Sequence, residues 1–185
     1  MRNRPYRDHR GVAKYRHEVL AAILRVNERL EVLATPRSRD PFAGQWALIG
    51  GPVEVDETME QAIARHMTGH LDGARPVHVE QVSTVSDPAR DPFERTIATA
   101  YLALTPPDGL PEMVGNSWLP VDDLPNMAFD HAQIVSAAAR RLRSKTSYTN
   151  IVYALAPEEF TMARLRAIYQ ACLLYTSPSP RDRTR

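Results

Sequence analysis

The stretch from Gly50 to Asp72 combines a glycine pair, carboxylates, an arginine and two histidines at spacings that could support chemistry. The pair Gly50-Gly51 follows a short apolar segment and precedes a loop that leads into an amphipathic helix. Glycine lets a ligand approach the backbone closely, and the free amides at a helix entry favour phosphate. The pattern predicts a glycine turn that contacts a diphosphate, with Glu54 in the following loop as a further ligand contact.

Two pairs of side chains follow on the predicted helix. Glu57 and Arg65 are eight residues apart, which places them near one face, so we expect an ion pair with a structural role. His66 and His70 also share a face, and with Glu57 or Asp72 they could form a zinc or manganese site. One helix face rarely supplies a whole metal site, so we favour two exposed histidines and predict no metal site.

This layout resembles the Nudix box, the loop–helix–loop motif of hydrolases that act on nucleoside diphosphates linked to another group. Gly51, Glu57, Arg65 and Met67 match the family pattern in register. The preceding segment, which runs from Trp46 through Ala-Leu-Ile-Gly-Gly, is also similar to the family.

The departures from the box concern its catalytic carboxylates. His66, Gly69 and His70 stand where the family has glutamates that hold magnesium and activate water. Mg²⁺ requires hard oxygen ligands, usually carboxylates beside substrate phosphates. The resemblance therefore implies that no catalytic set is intact and that metal-assisted hydrolysis is impaired. Binding would then require no cofactor, and Mg²⁺ or Mn²⁺ would be needed only if the chain is a hydrolase.

A second resemblance lies downstream. The motifs Phe129-Asp130-His131 and Pro157-Glu-Glu-Phe-Thr161 are similar to Nudix-related transcriptional regulators of the NrtR type. Those proteins join a Nudix-fold sensor to a C-terminal winged helix-turn-helix, and many sense ADP-ribose and control NAD-synthesis genes. The resemblance implies an ADP-ribose-like ligand, a homodimer, and DNA binding by the full-length parent.

Hydrophobic periodicity predicts the strands and helices of a mixed α/β domain. The resemblance implies that they form an α/β fold of the Nudix type, a mixed-sheet α/β/α sandwich. We expect strands at 17–26, 30–35, 45–49, 77–85, 95–105 and 117–119, and helices at 57–70, 130–146 and 161–171. The first helix would be capped by Asp56 or the residue before it. A truncated winged-helix segment would follow the sandwich.

The chain divides into four predicted parts. Residues 1–16 read as a flexible basic arm, 17–146 as the Nudix-like domain, and 147–171 as the start of a winged unit. The Ser-Pro-Ser-Pro tail at 172–185 is compositionally abrupt and resembles a translated adaptor, so we expect a non-native tail. An incomplete winged unit would expose Leu165, Ile168 and Tyr169 and would not read DNA.

Composition limits the remaining classes of protein. The 23 basic and 22 acidic residues exclude a strongly basic nucleic-acid coat and an acidic disordered tail. The single cysteine, Cys172, excludes a disulfide framework. With no long apolar run and no secretion signal, we expect a cytoplasmic protein with no membrane partner.

The functional hypothesis is a catalytically impaired Nudix-fold sensor of ADP-ribose, taken from a regulator of NAD metabolism. Gly50 and Gly51 would approach the diphosphate, and Arg37 and Arg39 would supply positive charge. One alternative is an active hydrolase with a non-standard metal site, for which four carboxylates are available: Glu54, Glu57, Glu60 and Glu94. Another is a purely structural dimer module.

Overall fold

The computed structural model of the protein describes residues 7–111 and 114–174. Within them the chain forms seven strands, three α helices and a 3-10 helix at Ile151–Leu155. The strands are β1 (Arg16–Val26), β2 (Leu30–Pro36), β3 (Trp46–Ala47), β4 (Ile49–Pro52), β5 (His78–Val85), β6 (Thr96–Leu104) and β7 (Ser117–Pro120). The helices are α1 (Met59–His70), α2 (His131–Thr146) and α3 (Met162–Leu174).

Strand β1 organises a mixed sheet. It runs parallel to β6 along one side, from the Arg16–Thr96 pair to the Leu24–Leu104 pair. On its other side β4 pairs with its first half and β2 with its second half, both antiparallel. Strand β5 extends the sheet beyond β6, and β3 and β7 pair with β2. The start of β1 is therefore surrounded by strands and loops that come from distant parts of the chain.

Successive side chains of β1 point to opposite faces of the sheet, so the strand contributes to two hydrophobic cores, one on each face. Leu20, Ala22, Leu24 and Val26 face the core formed with α2, α3 and the 3-10 helix, whereas Val19, Ala21 and Ile23 face α1. Helices thus cover both faces, which confirms the predicted α/β/α sandwich. Most strand and helix positions expected from periodicity are also confirmed, with shifts of one or two residues at their ends.

The predicted glycine turn is wrong, because Gly50 and Gly51 lie inside β4 and pair with Leu20 and Val19. The reason is steric. A Cβ atom at Gly50 would lie 2.0 Å from the carbonyl oxygen of Val19. A Cβ atom at Gly51 would lie 2.5 Å from Cε1 of His66. The glycines therefore permit close packing against β1 and α1.

The N-terminal cap of α1 also differs from the prediction. Thr58 caps the helix in place of Asp56 and forms a capping box with Gln61. The Gln61 amide donates to the Thr58 hydroxyl at 3.2 Å, and the Thr58 amide donates to the Gln61 side chain at 2.7 Å. This reciprocal pair satisfies two amides at the helix start and leaves Glu57 outside the helix, free to contact the loop.

The C-terminal segment packs on the same core as α2. Leu165 and Ile168 are buried, with Ile168 fully inaccessible, and Tyr169 is half-buried, so the expectation that these side chains are exposed is wrong. The Arg164 guanidinium donates to the carbonyls of Val26 and Asn27, both at 2.8 Å, and fastens α3 to the end of β1. The winged-helix assignment of 147–171 stays a prediction.

The two termini are described only in part. Residues 7–13 form a turn in which the Asp8 carboxylate accepts hydrogen bonds from the amides of Arg10 and Val12. Helix α3 includes Cys172, which is buried, whereas 175–185 of the expected non-native tail and 1–6 of the expected arm lie outside the described residues. None of the helices in the described part of the chain is long and apolar enough to cross a membrane.

Candidate functional site

A cleft of about 590 Å³ opens beside the start of β1, a volume within the usual range for small-molecule sites. Its walls come from β1, β4, the loop at 37–45, the loop at 86–95 and the start of α2. The lining residues used below are Arg16, Glu18, Arg37, Arg39, Gly50, Gly51, Asp91, Phe93, Glu94, Phe129 and His131. Cations, carboxylates and aromatic rings therefore share one concave surface.

Four of the five predicted ligand contacts meet in this cleft: Arg37, Arg39, Gly50 and Gly51. Because the two glycines lie in β4, they contribute a wall without side chains rather than a flexible turn. Glu54 is exposed and lies outside the cleft wall; its amide donates to Glu57 Oε1 at 2.8 Å. Its predicted contact with ligand therefore has no support in this geometry.

The Arg37 side chain is held in place by aromatic contacts. Its Cζ atom lies 4.7 Å from the centroid of the Phe129 ring, and its Nε donates to the Pro41 carbonyl at 2.9 Å. Phe42 meets Phe129 edge to face, with centroids 5.0 Å apart. Both phenylalanines have a positive φ, 69° and 52°, a costly conformation that concentrates at ligand sites.

His131 is a buried neutral histidine in the cleft wall, only 3% exposed. Its Nδ1 accepts a hydrogen bond from the Leu48 amide at 3.0 Å, so Nε2 carries the proton. Burial lowers the pKa of this imidazole to about 3, against the weaker opposing effect of Asp130. The sequence resemblance included His131, but its place in the cleft wall was not predicted.

An ion network supports the other side of the cleft. Arg90, whose side chain is only 2% exposed, donates to both carboxylate oxygens of Asp130, at 3.0 and 2.8 Å. Glu18 lies 3.8 Å from Arg90 and 3.0 Å from Arg16. Burial raises the pKa of Glu18, and the two arginines oppose that shift. Sequence reasoning missed this network because its members are up to 112 residues apart.

The predicted ion pair between Glu57 and Arg65 is present. Arg65 Nε donates to Glu57 Oε2 at 2.9 Å, and its Nη2 donates to the Pro52 carbonyl at 3.1 Å. The hydrogen bonds from Arg65, and then the one from the Glu54 amide, lower the pKa of Glu57 to about 2. These contacts tie the loop after β4 to α1, which is the structural role expected for the pair.

The histidines of α1 are engaged with the backbone. His66 Nε2 donates to the Pro52 carbonyl at 3.0 Å, and His70 Nδ1 donates to the His66 carbonyl at 2.9 Å. These bonds occupy one ring nitrogen of each imidazole. Within the described part of the chain, His66 and His70 do not form a metal-holding group with Glu57 or Asp72.

The same helix face does not fit magnesium. His66, Gly69 and His70 provide no carboxylate oxygen, and the Glu57 carboxylate is bound by Arg65. Among residues 7–111 and 114–174, no group of three or more histidine, cysteine, aspartate or glutamate residues is arranged to hold a metal ion. The chemistry of this donor set thus differs from the oxygen-rich shell that Mg²⁺ requires.

The family model of the NUDIX domain matches residues 15–142, a range that contains both the cleft and α1. The chain belongs to the Nudix family. Its mixed sheet between helices is the Nudix fold.

Three relatives share this Nudix domain. The ADPR responsive transcriptional repressor NtrR of Acinetobacter baylyi is 29% identical over 160 residues, covering 82% of this chain and 64% of the repressor. The chain thus spans less than two thirds of that relative's length. The ADP-ribose pyrophosphatase of Methanocaldococcus jannaschii is 30% identical over 135 residues, covering 68% of this chain and 78% of that enzyme.

The third relative is NrtR of Shewanella oneidensis, known from crystal structures. Its complex with a 27mer DNA has a TM-score of 0.77 at 29% identity, covering 84% of this chain and 75% of that one. Its NUDIX domain in complex with ADP ribose has a TM-score of 0.61 at 28% identity, covering 73% of this chain and 93% of that one. Among Nudix proteins, the chain is therefore similar to transcriptional regulators.

Proposed function

We propose that the chain is a sensor domain that binds ADP-ribose, or a related nucleoside diphosphate, with impaired hydrolysis, and that it comes from a transcriptional regulator of NAD metabolism. One observation carries the proposal: the cleft brings Arg37 and Arg39 beside the glycine wall of β4, while the box positions of α1 lack carboxylates. The A. baylyi relative responds to ADPR, and the S. oneidensis NUDIX domain is known in complex with ADP ribose, which supports the choice of ligand.

The cleft suits a diphosphate for two reasons. Guanidinium groups match phosphate oxygens bidentately, and Arg37 is already held against Phe129, so less side-chain freedom is lost on binding. Gly50 and Gly51 place the backbone of β4 in the cleft wall, where the phosphate groups can approach it. The neutral His131 adds no charge at physiological pH, so Arg37 and Arg39 supply the positive charge that we assign to diphosphate binding.

The same geometry accounts for impaired hydrolysis. In the family, the carboxylates of the box hold the metal that activates water, and none of the three stands in α1 here. Glu57 remains, but its bonds to Arg65 and the Glu54 amide give it a scaffolding role. Ligand binding without a metal cofactor follows from this proposal.

The alternative is a hydrolase with a non-standard metal site. The similarity to an ADP-ribose pyrophosphatase favours it. Glu18, Asp91 and Glu94 line the cleft, but within the part of the chain that the structure describes they do not form a metal-holding group. Of the four carboxylates considered from the sequence, Glu94 lines the cleft, whereas Glu57 is bound by Arg65.

The assembly of the regulator belongs to the same proposal. We assign DNA binding to the full-length parent, in keeping with the 27mer DNA complex of the S. oneidensis relative. We also propose a homodimer, the commonest symmetric assembly of soluble proteins. Sedimentation of the chain tests the dimer separately from ligand binding.

Calorimetric titration with ADP-ribose, once with Mg²⁺ and once with EDTA, tests the proposed function. We expect the same affinity under both conditions and no AMP release above buffer over several hours. Arg37→Ala should weaken binding about tenfold or more, because it removes hydrogen bonds to a charged group. Arg29→Ala is the matched control, since Arg29 is exposed and pairs with Asp122 outside the cleft.

Two results would contradict the sensor. One is binding that disappears in EDTA, and the other is sustained AMP release that Glu57→Gln abolishes. Either would favour the hydrolase with a non-standard metal site.

A further inference from the structure

A second cavity, of about 800 Å³, adjoins the cleft and shares three wall residues with it: Asp91, Phe93 and Glu94. Tyr15 and Arg95 form much of the remaining wall, with Pro88 and Pro92. We call this space the outer compartment. A ligand held at Arg37 and Arg39 can therefore extend past Phe93 into a second space.

The two compartments differ in how their aromatic rings are used. In the cleft, Phe129 already contacts Arg37, Phe42 and the His131 ring, so little of its ring is free for a ligand. Phe93, in contrast, is 56% exposed, and no ring or cation contact to it occurs within the described part of the chain. Phe93 thus offers an open aromatic face at the boundary between the compartments.

The loop that carries Phe93 is firmly anchored. The buried guanidinium of Arg90 holds it to Asp130 at the start of α2. The carboxylate of Asp91 accepts a hydrogen bond from the Phe93 amide at 2.8 Å. The loop is thus held to α2 three residues before Phe93, and the Phe93 amide is bonded within it. An exposed phenylalanine held in this way loses less entropy when a ring stacks on it.

The two compartments differ in their balance of charge. Both contain Asp91 and Glu94, but the cleft also has three arginines, Arg16, Arg37 and Arg39, whereas the outer compartment adds Asp87 and has a single arginine, Arg95. An acidic wall disfavours a phosphate and favours a ring that carries hydrogen-bond donors, such as an amino-substituted base. The phosphates therefore belong with Arg37 in the cleft.

We propose that Phe93 is the stacking platform for the nucleobase of the ligand, with Tyr15 as a second aromatic wall of the outer compartment. This inference rests on the proposed function, since it assigns one end of the ADP-ribose-like ligand to a subsite. It makes Phe93 a residue that distinguishes a nucleotide from a base-free phosphate, because every base has a π-face that a phenyl ring can contact.

Affinities of wild type and Phe93 variants for ADP-ribose and for inorganic pyrophosphate, a probe without a base, test the inference. Phe93→Leu keeps an apolar side chain and removes the ring. It should weaken ADP-ribose binding about fivefold or more and leave pyrophosphate binding unchanged, whereas Phe93→Tyr should keep wild-type affinity. Tyr148→Ala, at an exposed tyrosine outside both compartments, is the control.

Proton NMR of the bound ligand provides a second readout. The adenine H2 and H8 signals should move upfield in the wild-type complex, and that shift should shrink with Phe93→Leu. Unchanged ADP-ribose affinity in Phe93→Leu would overturn the subsite while the sensor function stands. An equal loss for pyrophosphate would also overturn it, since Phe93 would then shape the whole site. Failure of wild type to bind ADP-ribose would overturn the sensor and the subsite together.

Discussion

Helix α1 contributes His70 to the wall of the cleft, yet the helix and the rest of the cleft differ in the functional groups that they carry. On α1 the scaffolding contacts are complete: Arg65 binds Glu57 and the Pro52 carbonyl, and His66 binds that same carbonyl. The carboxylates that would hold a metal are absent. Around the cleft, a buried ion pair, two phenylalanines with positive φ and several arginines are all in place.

This difference indicates that the contacts that hold the loop and helix together do not depend on the carboxylates that would bind a metal. Glu57 and Arg65 fix the loop between β4 and α1 whether or not a metal binds. Glu57 is thus needed for the shape of the motif, whereas Gly69 has open space around it. The predictions below test this division between the two regions.

The largest effect is expected from returning carboxylates to α1. The combined variant His66→Glu, Gly69→Glu and His70→Glu should release AMP from ADP-ribose in Mg²⁺ at least about a hundredfold faster than the parent chain, because a bound metal contributes several kcal/mol of transition-state stabilisation. A side chain at Gly69 has open space around it. The control carries glutamine at the same three positions. Equal AMP release by the two variants would contradict the view that α1 lacks only its carboxylates.

The second-largest effect is expected from breaking the buried ion pair between Arg90 and Asp130 beside the cleft. Arg90→Met leaves Asp130 without its partner and should lower the free energy of unfolding by about 3 kcal/mol. Urea denaturation measures this change. Arg16→Met is the control, since Arg16 is more exposed and its ion pairs contribute at most about 1 kcal/mol. Similar decreases in the free energy of unfolding for both variants would show that burial does not make the Arg90 ion pair more stabilising than an exposed one.

The pH dependence of stability should come from the cleft histidine. The pKa of His131 is about 3 in the folded chain against 6.5 ordinarily, so the unfolded chain gains a proton first as the pH falls. Stability is complete above pH 6.5 and declines toward pH 3, by about 2 kcal/mol between pH 6.5 and 5. Urea denaturation of His131→Gln should show a shallower decline. His70→Gln, on the exposed face of α1, should behave as wild type.

The smallest effect concerns the scaffolding carboxylate. Its interactions hold the pKa of Glu57 at about 2, below the ordinary 4.5. Its stabilising contribution is therefore present above pH 4.5 and lost as the pH falls from 4.5 to 2. Glu57→Gln should reduce stability slightly at pH 7 and leave it unchanged near pH 2. Thermal melting at the two pH values measures this, and an equal loss at both would contradict the ion-pair explanation.

Much of the fold follows from local pattern. The mostly apolar runs that form β1 and β6, and the helical spacing of Met59, Ile63 and Met67, predict these elements without reference to the rest of the chain. The Glu57–Arg65 pair was also predictable, since a separation of eight residues is a local property of loop and helix. The turn at Gly50-Gly51 was not, because only its neighbours show that a side chain there would strike Val19 and His66.

The candidate site also combines features that the sequence predicted with features that only the structure showed. The sequence by itself determined the box scaffold, the absence of carboxylates at three positions of α1, and the cationic loop with Arg37 and Arg39. Only the tertiary structure decided that Arg90, Asp130 and Glu18 form one network, and that Phe93 stands between two compartments. Residue types and short spacings fix local contacts, whereas contacts across 40 or more residues depend on how β1, its neighbouring loops and α2 are brought together.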